Sequence, residues 1–192
     1  MERVVLKEQS MVFRRFLNSD NEDDAEEYRE PTLDTMQVGY MVDYDLQTWE
    51  VVGYGTYDYD GFISHEWELR ASQDLHFLEC SKEDGRLQWT LTSAVVIGEI
   101  EGDVANAIQQ DGDPPETLIY AGKTYKGTES GGGLYREKGE GDGREFVSWS
   151  FEATGGHLLY INQWGETEFS AFAGQSVEEY QFTDILPVVQ ES

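Results

Sequence analysis

A period of two in apolar positions dominates the chain from Val38 onward. In "SHEWELR" the apolar and polar residues alternate, so one face of an extended chain carries His65, Trp67 and Leu69. Asp-Gly pairs at residues 60–61 and 84–85 separate such runs, and this dipeptide is a strong hairpin signal. Residues 36–98 are therefore predicted to form a meander of about five antiparallel strands.

A second set of alternating runs follows a break in the pattern. The stretch "EIEGDVANAIQQDGDPPE" is irregular, and Asp103 is expected to cap a short helical turn that runs to Gln110. We interpret residues 99–116 as a connector. Beyond it, "FVSWSFEA" and "HLLYINQW" indicate new strands, so residues 117–192 are predicted to form a second meander with a C-terminal tail.

The two meanders resemble each other in sequence, with small gaps where their hairpins differ in length. Trp67 aligns with Trp149 and Leu69 with Phe151, while "LHFLEC" is matched to "HLLYIN", "TWEVV" to "TYKGT", and Trp89 to Phe169. The predicted fold class is all-β: two antiparallel five-stranded meanders in a pseudo-twofold repeat, packed as a sandwich or barrel. A single up-and-down β-barrel is the alternative. In either case the halves are expected to bury their aromatic rows against each other in a shared apolar interior.

One strand contains two glycines that bear on its geometry. The run "TWEVVGYGTYDYDG" places Trp49, Val51, Tyr57 and Tyr59 on one face if it is regular. Glycines at positions 53 and 55 within the run indicate a bulge or a sharp bend.

The first 35 residues are predicted to be a separate N-terminal segment. Its second half, "NSDNEDDAEEYREP", is acidic and poor in apolar residues, which is typical of a solvated linker. An acidic docking segment for a basic partner is the alternative. Residues 36–192 are expected to form one compact domain.

Charge restricts the classes of partner. The 192 residues carry a formal net charge of −26, so nucleic acid and anionic membrane surfaces are disfavoured partners. A basic protein, a polyamine-like cation or a metal ion is compatible with that charge, although excess acid also serves solubility alone. No apolar run is long enough to cross a membrane, no signal-peptide pattern is present, and Cys80 is the only cysteine. A cytoplasmic location is expected.

Candidate chemistry is sparse. His65, His76, His157 and Cys80 lack zinc-ligand spacing, and the segments "DYDG" and "DGD" lack the full ligand series of a calcium loop. No nucleophile, phosphate-binding loop, cofactor motif or metal site is predicted. Carboxylates are abundant, so a glycosidase-like acid/base pair can be neither located nor rejected from the sequence.

The candidate binding site lies in "YGTYDYDG". Its aromatic and acidic side chains suit a cation, and they are Tyr54, Tyr57, Asp58, Tyr59 and Asp60. The leading hypothesis is a non-catalytic binding or accessory module for a basic protein or another cationic partner. The first alternative is a small-molecule-binding barrel with an apolar cavity lined by Trp67, Trp89 and Trp149. The second is a hydrolase that uses an unrecognised carboxylate pair.

The spaced aromatic and glycine positions resemble a bacterial family known as domain of unknown function 4178. The segments that carry the resemblance lie within residues 36–187 and include "VGYMVDYDLQTWEVVGYGTYDYDG", "HEWELR", "HFLECSKEDGRLQWTL" and "LLYINQWGETEFSAFAG". The resemblance implies an accessory protein, in some members associated with membrane-stress or aminopropyl-transfer proteins. At "YINQW" the family pattern often has an acidic residue, which this chain lacks.

Overall fold

The computed structural model describes residues 30–187, and this part of the chain is almost entirely β-structure. A single 3₁₀ turn, Leu33–Thr35, precedes the first meander. The strands of that meander are β1 Met41–Tyr44, β2 Gln47–Tyr59, β3 Phe62–Ala71, β4 Asp74–Glu83 and β5 Arg86–Val95. All but six residues of the predicted N-terminal segment lie outside the described range, and so does most of its acidic linker.

The connector contains the one α-helix among the described residues. A 3₁₀ turn at Ile97–Glu99 leads to helix α1, Val104–Asp111, which Asp103 precedes without donating or accepting a side-chain capping bond. The second meander is built from β6 Thr117–Tyr120, β7 Lys123–Glu137, β8 Arg144–Ala153, β9 His157–Gln163 and β10 Phe169–Val177. A last strand, β11 Phe182–Leu186, returns to pair with β1.

The two meanders close into a single antiparallel barrel of eight strands. Strand β5 pairs with β10 at one junction, and β2 pairs with β7 at the other. Strands β1 and β11 extend the sheet from β2, and β6 extends it from β7. The predicted all-β fold with two five-stranded antiparallel meanders is confirmed, in its barrel form.

Corresponding strands of the two meanders share the same register. Trp67 on β3 pairs with Leu78 on β4, and Trp149 on β8 pairs with Ile161 on β9. This register matches "LHFLEC" with "LLYINQ", one residue beyond the predicted "HLLYIN". The predicted match was wrong by one position because an apolar run carries no marker that fixes its register. With the correct register, Glu79 occupies the place of Asn162.

Glycines permit the close approach of β2 and β7 at one junction of the barrel. Tyr57 pairs with Tyr135 across this junction. A Cβ atom on Gly133 would collide with the carbonyl oxygen of Asp58, and one on Gly55 would collide with the ring of Tyr135. The absence of a side chain at these two positions is therefore a condition of barrel closure.

The aromatic rows are buried outside the barrel, in two separate clusters. Trp67 packs with Leu33, Val42 and Phe182, which belong to segments that cover the outer face of the first meander. Trp149 packs in a different cluster with residues of α1 and β6. These tryptophans are 2% and 6% exposed. The prediction that the two rows face each other across a shared interior is wrong, because the flanking segments cover the outer faces and the opposite face of each strand turns inward.

A bulge in β2 changes which face its residues occupy. The register with β3 shifts between Val51 and Gly53, as the glycines predicted. Trp49 and Val51 consequently belong to the outer cluster, whereas Tyr57 and Tyr59 line the barrel interior. Placing all four on one face was wrong, because a single inserted residue exchanges the two faces of a strand.

Separate outer clusters predict independent energetic contributions. Trp67→Phe and Trp149→Phe should each lower the free energy of unfolding by roughly 0.5–3 kcal/mol, because each removes buried apolar area. In the double variant the two losses should add to within about 0.5 kcal/mol, as measured by urea denaturation. Tyr180→Phe, at a side chain 80% exposed, serves as a neutral control. A coupling above about 1 kcal/mol between the tryptophans would contradict two separate clusters.

Candidate functional site

A cavity of about 680 Å³ occupies the inside of the barrel. Both meanders contribute to it through their inward-facing residues. Its walls combine aromatic and aliphatic side chains with hydroxyl and amide groups, the latter from Ser64, Thr90, Thr92, Ser148, Ser150 and Asn162. The charged residues of the lining are all acidic: Asp60, Glu66, Glu79, Glu83 and Glu129. No Lys, Arg or His belongs to the lining as formed by residues 30–187. A ligand inside it would meet only negative charge.

Glu66 and Glu79 form a cross-strand pair that faces this cavity. They are direct partners in the β3–β4 register, which places their Cβ atoms ~5 Å apart on one face of the sheet. They point inward because their neighbours Trp67 and Leu78 are buried in the outer cluster. We call this pair, on β3 and β4, the acidic wall.

Burial disfavours the ionised form of both carboxyls of the acidic wall, and the charge of Glu79 adds to this effect at Glu66. Burial chiefly, and then the charge of Glu79, raise the pKa of Glu66 to about 8, although the side chain stays 8% exposed to the cavity. The hydroxyl of Tyr57 donates a long hydrogen bond to the Glu66 carboxylate, 3.3 Å from Oε2, which opposes the rise. Burial also raises the pKa of Glu79. Near neutral pH the pair therefore retains a proton and titrates as a unit.

Ser64 adds an unused polar group to this wall. Its side chain is 1% exposed and lines the cavity next to Glu66, yet Oγ has no hydrogen-bond partner among the described residues. The Ser64 hydroxyl lies close enough to the Glu79 carboxylate to oppose part of the rise in its pKa. The two groups do not reach the geometry of a hydrogen bond. A buried hydroxyl without a partner is unfavourable, so a ligand that bonds to it would relieve the cost.

Aromatic rings form the part of the interior next to the β2–β7 junction. The ring of Phe146 lies edge-on to those of Tyr57 and Tyr59, with centroids 5.3 and 5.2 Å away. Tyr57 also contacts Tyr135, at 4.8 Å. Burial raises the pKa of Tyr57, Tyr59 and Tyr135, so these hydroxyls stay protonated at neutral pH and can donate hydrogen bonds.

The second meander carries neutral residues where the first carries acids. In the matching registers Ser148 replaces Glu66 and Asn162 replaces Glu79. Both face the cavity and both are buried. We call this pair, on β8 and β9, the neutral wall. The same strand geometry therefore forms without carboxylates, which indicates that the acidic wall is not a requirement of the fold.

The structure brings three of the five predicted site residues to the cavity. Tyr57, Tyr59 and Asp60 line it. Tyr54 faces the outer side, where its hydroxyl lies 2.6 Å from Nδ1 of His65. Asp58 is also on that side, hydrogen-bonded to the Gly61 amide and to Arg136, whose guanidinium lies 2.9 Å from Oδ2. These two bonds lower the pKa of Asp58, and the arginine already neutralises its charge.

The sequence pattern missed the acidic wall. "SHEWELR" sets Glu66 opposite Trp67, and in an isolated sheet that face would be the solvated one. Barrel closure encloses the face instead. The same closure contradicts the predicted cavity lined by Trp67, Trp89 and Trp149, since all three are buried in the outer clusters.

Other candidate chemistry is limited in the described part of the chain. No group of three or more His, Cys, Asp or Glu side chains within residues 30–187 has the arrangement of a metal site. Cys80 is buried, and that burial raises its thiol pKa to about 11, so it is not a thiolate at neutral pH. The helices of this range include none that is long and apolar enough to span a membrane.

Comparison with known proteins places the chain among relatives without an assigned activity. The profile of the family described as Domain of unknown function (DUF4178) matches residues 37–179. A protein of Aquifex aeolicus (strain VF5), named "Uncharacterized protein", is 27% identical over 174 residues, which cover 91% of this chain and 96% of that protein. No solved structure matches.

The raised pKa of Glu66 predicts a pH dependence of stability. The folded chain holds this proton up to about pH 8, whereas the unfolded chain releases it near the ordinary value of 4.5. Between those values the folded state binds more protons, so the free energy of unfolding falls as pH rises, by at most about 1.4 kcal/mol per pH unit. Glu66→Gln should remove most of this decline, as measured by urea denaturation across the window.

Comparison with a matched variant isolates the effect of Glu66. Glu101→Gln removes an exposed carboxylate outside the cavity and should reproduce the pH profile of the unmodified chain. Glu79, whose pKa is also raised, should leave a residual slope in Glu66→Gln. Parallel profiles for the unmodified chain and Glu66→Gln would show that Glu66 ionises normally.

Proposed function

The chain belongs to the family described as Domain of unknown function (DUF4178), and we propose that it is a binding protein whose barrel holds a small organic cation. The observation that carries this proposal is the acidic wall, Glu66 and Glu79, inside a cavity to which the described residues 30–187 contribute no basic side chain. The neutral wall supports it, because the fold tolerates Ser148 and Asn162 at the same positions.

The energetics of the acidic wall favour a cationic occupant of the cavity. Loss of hydration in a partly enclosed site raises the pKa of both carboxyls, and at Glu66 the charge of Glu79 adds to the rise. An ammonium group between them would lower the pKa of both and replace lost water with charge-assisted hydrogen bonds. The rings of Tyr57 and Tyr59 provide the electron-rich surfaces to which organic cations are attracted.

A small molecule suits this site better than the basic protein expected from the net charge. The carboxylates of the acidic wall lie inside the barrel, where a folded protein surface cannot reach them. Asp58, which was part of the predicted site for a basic partner, is already paired with Arg136. A metal ion is a poorer occupant, because the residues described offer no third ligand to complete a site with the two carboxylates.

The direct test is a binding screen with compounds that are matched in size but differ in charge. Organic ammonium compounds should raise the Tm of the chain and give saturable binding in isothermal titration calorimetry, whereas neutral alcohols and carboxylates of equal size should not. Glu66→Gln and Glu79→Gln should each weaken cation binding by about tenfold or more, since each removes one charged hydrogen-bond partner. Glu101→Gln should bind as the unmodified chain does.

Proton release distinguishes this site from surface adsorption. A cation that enters the acidic wall near neutral pH displaces its retained proton, so the binding heat should differ between buffers with different ionisation enthalpies. Equal binding by the unmodified chain and both Gln variants, or no binding by any ammonium compound, would refute the proposal.

A second candidate function is hydrolysis by the same carboxyl pair. The observation that favours it is the pKa of Glu66, which at about 8 is that of a group able to act as a general acid near neutral pH. Glycoside hydrolysis uses two carboxyls across a scissile bond. A screen of chromogenic glycosides and esters tests this function, and turnover abolished in both Glu66→Gln and Glu79→Gln would establish it in place of simple binding.

A further inference from the structure

We propose that the ligand is a linear molecule with two or more ammonium groups, bound lengthwise along β4. This inference rests on the proposed binding of an organic cation and adds its class. It follows from the positions of the acidic lining residues, which occupy two separate levels of the cavity along one strand.

Strand β4 carries the two acidic levels. Glu79, Ser81 and Glu83 alternate with outward residues and all three line the cavity. Four residues of extended chain separate the two glutamates, which corresponds to ~13 Å. Glu79 lies in the acidic wall, whereas Glu83 is exposed at the opening. The neutral hydroxyl of Ser81 lies between them.

Two further acids line the cavity, and the part of the chain that the structure describes places no cation in the lining beside them. Asp60 and Glu129 are exposed lining residues, as Glu83 is. Arg86 is the register partner of Glu83, but it does not line the cavity, and the ion pairs formed within residues 30–187 do not include it. Asp60, Glu83 and Glu129 together outnumber this one arginine, so a second ammonium group at this level would meet a net negative charge.

The inner level has a buried polar group available for a ligand. Ser64 Oγ faces the cavity beside the acidic wall without a hydrogen-bond partner in the described residues. Its oxygen can accept an N–H bond from an ammonium group that also contacts Glu66 and Glu79. Leu158 and Phe172 also line the cavity, and Phe172 packs against Phe77 of β4, so the cavity offers apolar surface to a methylene chain as well. A molecule with an ammonium group at each acidic level, joined by methylenes, can use all of these groups.

The test uses a series of α,ω-diaminoalkanes from diaminopropane to diaminododecane, each compared with the monoamine of equal length in isothermal titration calorimetry. Affinity of the diamines should pass through a maximum at the length that brings the two nitrogens ~13 Å apart. At that length the diamine should bind about tenfold or more tightly than its monoamine, since a second charge-assisted contact forms only there.

Variants at the two levels separate this inference from the proposed function. Glu83→Gln should remove the advantage of the diamine while leaving monoamine binding unchanged, and Glu79→Gln should weaken both. Monoamines that bind as tightly as diamines, a flat dependence on length, or an unchanged diamine advantage in Glu83→Gln would each overturn two-point binding and leave a single-cation site intact. Absence of binding by every amine would instead refute the proposed function itself.

Discussion

Closure of the sheet at the β2–β7 junction is the constraint on which the rest of the structure depends. An open sheet of these strands would expose unpaired backbone groups at its edges and leave one of its faces in solvent. Pairing of Tyr57 with Tyr135, made possible by Gly55 and Gly133, joins β2 and β7, which are the two end strands in the spatial order of the eight. Once the sheet is closed, its outer face packs against the flanking segments and its inner face lines the cavity.

The outside supplies most of the apolar burial. The segments around β1 and β11 cover Trp67 and Trp89, and α1 with β6 covers Trp149. At ~25 cal/mol per Å² of apolar area, several buried aromatic side chains outweigh the two ion pairs that the described residues form, since exposed pairs contribute about 0–1 kcal/mol each. Because the outer clusters hold the fold together, the barrel interior does not need to be an apolar core.

Because the outer clusters stabilise the fold, the interior of the barrel can carry acidic side chains. Removal of two ionised carboxyls from water costs free energy and so destabilises the folded state. The raised pKa values of Glu66 and Glu79 reflect this cost, because they show that burial disfavours the charged form. The neutral wall avoids it with Ser148 and Asn162, in the same registers of the same barrel. The acidic wall is unfavourable for stability, has no counterpart in the second meander and is directed into a cavity. These three properties together are expected of a binding site.

The sequence by itself determined the strands, their grouping into two meanders and the bulge at Gly53, since alternation, Asp-Gly turns and glycine within a strand are local signals. It also indicated Tyr57, Tyr59 and Asp60, which line the cavity. Only the tertiary structure decided which face of each strand is inside. Alternation states that Trp67 and Glu66 point in opposite directions, but not which direction is enclosed. Closure of the sheet and the segments packed over its outer face set that choice, and both depend on contacts between residues far apart in the chain.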